Sequence, residues 1–171
     1  MKENDNEDTH GLSLPRPEKI ISDGEAGVGI GALVGAERCC ISTGGYAPSD
    51  YKTENGSQPI LQSRFGLIAH PSANDLTRTR ENIAMSDAVV LFLTQADNTK
   101  SELTIETCND LQKPWRILYL GTNNISEIFR AFIRSTNSKV LNVSGSRESV
   151  SPGIAKQVAN ILVQTFNSQK I

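Results

Sequence analysis

Apolar positions along the chain fall alternately into short unbroken runs and into stripes of helical period. Lys19-Ile-Ile-Ser22 is the first run and predicts a strand. A glycine-rich stretch, residues 23–31, follows it, and Val28, Ala32, Leu33 and Ala36 then recur at helical spacing. Residues 39–41 predict a second short strand and residues 65–69 another. Between them, residues 43–62 form a long loop dense in Gly, Pro, Ser, Asp and Asn, of a length more often functional than idle. A polar helix over 75–85 leads into Asp87-Ala-Val-Val-Leu-Phe-Leu93. That run is the strongest strand pattern in the chain and suits a central parallel strand covered on both faces. Residues 101–111 predict a helix with Ser101 as its cap and Glu102 near the positive end of the dipole, stopped by Lys113-Pro114. A strand at 115–120, a helix at 126–134 and a strand at 139–143 follow. Ile154, Val158, Ile161, Leu162 and Phe166 line one face of a last helix. Ser151-Pro152 opens that helix, with a side-chain oxygen at the cap and an imino acid where the missing N–H costs nothing.

Strands alternating with helices predict the α/β class: a single Rossmann-like three-layer domain with a mainly parallel sheet and right-handed crossovers. The domain is expected over residues 18–171, and the polar, acidic residues 1–17 as a disordered tail. In such a sheet the carboxyl ends of the strands share one edge. Ser22-Asp23-Gly24, Thr94-Gln95, Gly121-Thr122 and Ser144-Gly145 are expected there, where open α/β sheets bind their ligands.

Composition narrows the function. With 171 residues, one core is expected. A net charge of -2 without a basic stripe argues against nucleic acid. No apolar run approaches the roughly 20 residues that span a bilayer, and the first residues lack the apolar centre of a secretory signal. Three cysteines, with Cys39 and Cys40 adjacent, make no disulfide framework and fit reduced thiols in a cytoplasmic protein. His10 and His70 are the only histidines, so no protein-built metal site is expected.

Four stations along the predicted edge carry candidate chemistry. The turn from Gly24 to Gly31 either brings backbone N–H groups to a phosphate or lets a helix pack closely; Asp23 and Glu25 would repel an anion beside it. Arg78 and Asn82 are four residues apart on one helix. They can point at one ligand, or belong to a solvated face with a pair between Arg78 or Arg80 and Glu81 or Glu102. Thr99, Lys100, Ser101 and Thr104 offer hydroxyls and an ammonium at a helix start, which ordinary capping also explains. The turn at 144–151 ends an apolar strand and carries Arg147 and Glu148. No nucleophile, base and orienting group stand together, so no catalytic residue is assigned.

These stations, in this order, resemble the motifs of the molybdenum cofactor carrier proteins, relatives of the Rossmann-like group that contains the LOG-type phosphoribohydrolases. Lys19-Ile-Ile-Ser-Asp-Gly-Glu-Ala-Gly-Val-Gly-Ile-Gly-Ala-Leu33 is similar to the family's first motif. Thr43-Gly-Gly-Tyr-Ala-Pro48, Glu54-Asn-Gly56 and Pro59-Ile60 resemble its second. Arg78-Thr79, Asn82-Ile83 and Ser86-Asp87 match the third, and residues 99–104 with Lys113-Pro-Trp115 the fourth. The last, residues 142–154, differs by Ser144 and Ser146. The first departs at Asp23, Glu25, Ala26, Gly29 and Ile30, and Thr99-Lys100 stand where the family has paired glycines.

The resemblance implies a cytoplasmic protein that stores, protects or carries the molybdenum cofactor, a pterin bearing a phosphate and a metal centre, as cargo. It implies that Gly24, Gly27, Thr99, Lys100, Ser101 and Thr104 cradle phosphate or oxo groups and that Arg78 and Asn82 take the ligand's polar edge. Gly145, Arg147, Glu148 and Ser149 would shape the far side of the cleft, and residues 43–46 a lid. It also implies a homo-oligomer, dimer or tetramer, that serves molybdoenzymes or cofactor-synthesis proteins. The alternatives are a LOG-like nucleotide phosphoribohydrolase working through Glu102 or Glu106, and a sensor of a nucleotide-derived ligand.

Overall fold

The computed structural model describes residues 13–95, 97 and 99–167; of Thr99 and Lys100 it describes the backbone alone. Most of residues 1–17, the expected tail, thus lie outside the described part. Leu14 and Pro17, within it, are buried.

Five parallel strands make the central sheet: β1 (Lys19–Ile21), β2 (Ser42–Gly44), β7 (Ala88–Leu93), β8 (Trp115–Tyr119) and β9 (Val140–Gly145). They lie in the order β2-β1-β9-β7-β8. The expected strand in the run 87–93 forms as β7, an interior strand buried along its whole length. Its side chains alternate as a pleated strand requires. Val90 and Phe92 face α1 (Val28–Arg38), α5 (Ile125–Thr136) and α6 (Ile154–Asn167), while Val89, Leu91 and Leu93 join Ile83 of α3 (Asp75–Ala84) and Cys108 of α4 (Thr99–Asp110). The result is the expected three-layer α/β sandwich. Phe129 meets Phe92 and Phe166 edge-to-face at 5.7 and 5.8 Å, the arrangement that ring quadrupoles favour.

The last strand, β9, sits in the middle of the sheet. Renumbering the main strands from β9 gives 3-2-1-4-5, the usual order of dinucleotide-binding sheets, with the first βα unit moved to the chain's end. Accordingly α6 packs along α1, and Gly31 and Gly35 permit the contact. A Cβ at Gly31 would stand 2.4 Å from the Ala155 carbonyl oxygen.

Three local expectations change. The second strand starts at Ser42, because α1 runs to Arg38 and Cys39 closes it, donating its N–H to Gly35 and Ala36 carbonyls; Cys40 then turns with φ 55°. Residues 43–62 are less a loop than a set of short elements. β3 (Tyr46–Ala47) pairs with β6 (Ile68–Ala69), and β4 (Lys52–Thr53) with β5 (Gly56–Ser57) beyond a 3-10 turn. α2 (Ile60–Phe65) buries Leu61 and Phe65 against Leu33, and Gly66 ends it in the left-handed region, so Phe65 belongs to this helix and not to a strand. Finally, α6 starts at Ile154, after the Ser151-Pro152-Gly153 turn.

Candidate functional site

The carboxyl ends of β1, β7 and β9 meet the first turns of α3 and α4 around a cavity of about 300 Å³. This is the switch point of the sheet, between the strands that occupy first and fourth place in the usual order. Leu76, Leu91, Leu93 and Leu103 make apolar walls, and Asp23, Glu25, Asp75, Arg78 and Arg147 supply the charge.

The loop after β1 is fixed by its own side chains. The Ser22 hydroxyl donates to the Gly29 carbonyl at 3.1 Å and accepts the Gly24 N–H at 3.2 Å. Asp23 Oδ1 accepts the Glu25 N–H at 3.0 Å, and Glu25 Oε1 accepts N–H groups from Ala26 and Glu54. The loop after β9 lies against it. Val28 donates its N–H to the Ser146 carbonyl, Glu148 to that of Ala26, and Gly27 bridges Arg147. The β4–β5 hairpin straps both loops, for Glu54 accepts the N–H and the hydroxyl of Ser149.

Arg78 is buried to 94% of its surface. Its Nη1 pairs with Asp75 Oδ1 at 2.8 Å, its Nη2 stands 3.9 Å from Asp23 Oδ2, and its buried Nε has no partner among the described residues. Arg147 repeats the pattern with Nη2 3.7 Å from Glu25 Oε2 and an Nε that has no partner among the described residues. Leaving such a donor unmade costs about 1–3 kcal/mol, so two in one cavity call for an explanation.

Of the twelve residues expected at the site, Arg78, Ser101, Thr104, Gly145 and Arg147 line this cavity. The side chains of Thr99 and Lys100 lie outside the described part. The other five serve the frame. Gly24 has φ 74° and abuts Leu61 and Leu67, and a Cβ at Gly27 would stand 2.5 Å from the Ser146 carbonyl oxygen. Asn82 grips the backbone of Tyr46. Glu148 accepts N–H groups from Gly153 and Ala155, filling the helix α6 N-terminus with a carboxylate of the chain itself, and Ser149 bonds Glu54. Ser151, expected as that cap, bonds the Thr94 hydroxyl at 2.8 Å. Ser101 stands in the first turn of α4 and not before it. Thr43 and Gly44 are strand residues of the main sheet, which leaves no lid at 43–46.

The expected pairing of Arg78 with Glu81 or Glu102 is replaced by Asp75 and Asp23, since Glu81 reaches back to His70 Nε2 at 3.1 Å. Glu102 and Glu106 are exposed and do not line the cavity. The carboxylates of the first loop, expected to disfavour an anion, are part of its wall. Sequence reasoning missed Leu91 and Leu93, which read as core residues of the central run, the exposed helix residues Leu76 and Leu103, and Asp75, whose acidic side chain opens α3 as many helix starts do. Among the described residues no three His, Cys, Asp or Glu side chains are grouped to hold a metal ion, and no helix is long and apolar enough to cross a membrane.

A family model described as the circularly permutated YpsA SLOG family matches residues 20–166. A solved structure, that of the "putative molybdenum carrier protein" of Syntrophus aciditrophicus SB, is similar to this chain at 26% identity. It superposes with a TM-score of 0.80 over 90% of this chain and 97% of its own. No curated protein matches the chain.

Proposed function

Because the chain belongs to the circularly permutated YpsA SLOG family, we propose that the switch-point cavity binds and shelters the molybdenum cofactor, as a carrier and not as an enzyme. The observation that carries this reading is the cavity's make-up: four leucines facing two arginines, each with a buried Nε that the described residues leave without a partner. Apolar walls suit a flat ring, and fixed guanidinium groups suit the polar substituents around it. A cavity of about 300 Å³ lies at the lower end of the range for small-molecule sites. The name of the solved relative supports a molybdenum-related cargo.

In this reading Arg147, at the mouth, meets the cofactor's phosphate, and Ser101 and Thr104 on α4 flank it. The metal centre travels as cargo with its own ligands. Contact with the buried Leu91 and Leu93 takes one side of the ring out of water, and Leu76 and Leu103 stand beside it. The exposed positions of Glu102 and Glu106, away from the cavity, favour the carrier over a phosphoribohydrolase that would need one of them at the sugar. A homo-oligomer in the cytoplasm, delivering to molybdoenzymes or accepting from cofactor synthesis, completes the proposal.

Anaerobic titration with isolated cofactor tests it, followed by calorimetry and by the rate at which the cofactor oxidises. Saturable binding with slowed oxidation is expected, and Arg147→Ala should weaken binding at least tenfold, about 1.4 kcal/mol. Absence of binding, or binding that leaves oxidation as fast as in free solution, overturns it.

A further inference from the structure

Asp23 and Arg78 form a couple that does not close. Arg78 is held by Asp75, another residue of the cavity rim, 2.8 Å from Nη1, and its side chain is 7% exposed. Asp23 is held as firmly: Oδ1 accepts the Glu25 N–H at 3.0 Å and lies so near Gly29 that a Cβ there would come within 2.8 Å of it. Yet the facing atoms, Asp23 Oδ2 and Arg78 Nη2, stay 3.9 Å apart, past hydrogen-bond reach. Both line the cavity, beside Leu76, Leu91 and Leu93. An acceptor and a donor are thus fixed side by side on an apolar floor, each unsatisfied by the other.

A bare oxyanion does not fit that pair, because whatever Arg78 attracts Asp23 repels. A cation meets the reverse conflict. The complement is a neutral ring edge on which N–H donors adjoin a carbonyl oxygen. Two adjacent donors can engage a carboxylate together, and the neighbouring carbonyl oxygen then takes the guanidinium.

We propose that the Asp23–Arg78 couple recognises a 2-amino-4-oxopyrimidine edge, the edge that pterins and guanine share. The ring N–H and exocyclic amine go to Asp23, the carbonyl oxygen to Arg78, and the ring face lies on the leucines. The assignment rests on the carrier reading for the choice of cavity and adds which end of the cargo enters first: the pterin edge inward, the phosphate towards Arg147. The Arg78 Nε, without a partner among the described residues, fits this picture as a donor kept in a site that is incomplete without its guest.

Four probes test it by calorimetry: pterin, lumazine (which carries oxygen in place of the 2-amino group), guanosine monophosphate and inosine monophosphate. The wild-type chain should prefer pterin to lumazine at least tenfold. Asp23→Asn, nearly isosteric, should erase that preference while its thermal midpoint shows the protein folded. Preference for guanosine over inosine monophosphate with no binding of pterin supports the edge and names guanine nucleotide as its source; the carrier reading then fails and this one stands. Equal binding within both pairs, no binding of any probe, or a preference that survives Asp23→Asn overturns the assignment. Isolated molybdenum cofactor bound equally by wild type and Asp23→Asn overturns it too, and leaves the carrier reading in place.

Discussion

Asn82 holds the backbone of Tyr46 by both ends of its amide: Oδ1 accepts the Tyr46 N–H at 2.7 Å, and Nδ2 donates to the Tyr46 carbonyl at 3.0 Å. The side chain is buried, so α3 is tied to the β3–β6 pair at a point water cannot replace. Asn82→Ala leaves both backbone groups without this partner and should cost about 2–4 kcal/mol in urea unfolding. The same substitution should change ligand affinity less than Arg147→Ala does. A loss of affinity greater than that of Arg147→Ala, with stability unchanged, would return Asn82 to the ligand.

Gly145 ends β9 with φ 153°, and a Cβ there would stand 1.9 Å from the Phe92 carbonyl oxygen of the neighbouring strand. Neither backbone can retreat easily, since β9 is also paired to β1 and β7 to β8 on their far sides. Gly145→Ala should therefore destabilise by more than about 3 kcal/mol or leave the protein insoluble. Gly153→Ala is the control. Among the described residues nothing lies within 4 Å of its Cβ position, so its cost is that of the backbone at φ 88° and should stay near 1 kcal/mol.

Patterns that report local burial were legible in the sequence. The apolar run of β7 and the stripe of α6 needed nothing beyond period and burial. Helix α2 was hidden because it has only two anchors, Leu61 and Phe65, within a segment whose composition is that of turns. Cys39 to Ile41 looked like a strand because a helix end that packs on the core is as apolar as a strand start. The central place of β9 is a relation between distant segments, which no local pattern encodes. At the site, Arg78 stood out by its four-residue spacing from Asn82, and Arg147 and Glu148 by their place in the turn between an apolar strand and a helix start. Arg147 lines the cavity, whereas Glu148 proved to be the cap of α6. A carboxylate that satisfies the fold and one that meets a ligand differ only in what lies opposite them.

Burial pushes the Cys108 thiol up from 9.0 to about 11 and raises that of Cys39, while Cys40 is exposed. A thiolate-reactive reagent at pH 8 should therefore label Cys40 quickly and the other two only after unfolding. The same shift has a consequence for stability. A raised folded-state value means that the unfolded thiol loses its proton first. The contribution is complete below pH 9 and disappears as the pH climbs through about 11, by on the order of 2 kcal/mol. Urea midpoints measured from pH 8 to 11 should fall, and Cys108→Ala should flatten the fall.

The position of β9 makes one further demand on the chain. If the β9–α6 unit is the first unit of an ordinary 3-2-1-4-5 sheet carried at the end, then the contacts between α6 and α1 hold it in place, and covalent order is incidental. Leu14, ahead of β1, and Phe166, near the end of α6, both belong to the main core cluster. A rearranged chain that begins at Ser138, runs through α6, and is joined by a flexible Gly-Ser linker to residue 13 should fold to the same sheet. Its new ends fall at Asn137, whose left-handed turn closes α5 outside any strand. Circular dichroism and the urea midpoint should match the parent within about 2 kcal/mol, the scale of a changed loop closure. An unfolded product would mean that β9 must arrive last, between strands already paired, and that the order of synthesis is part of how this sheet is built.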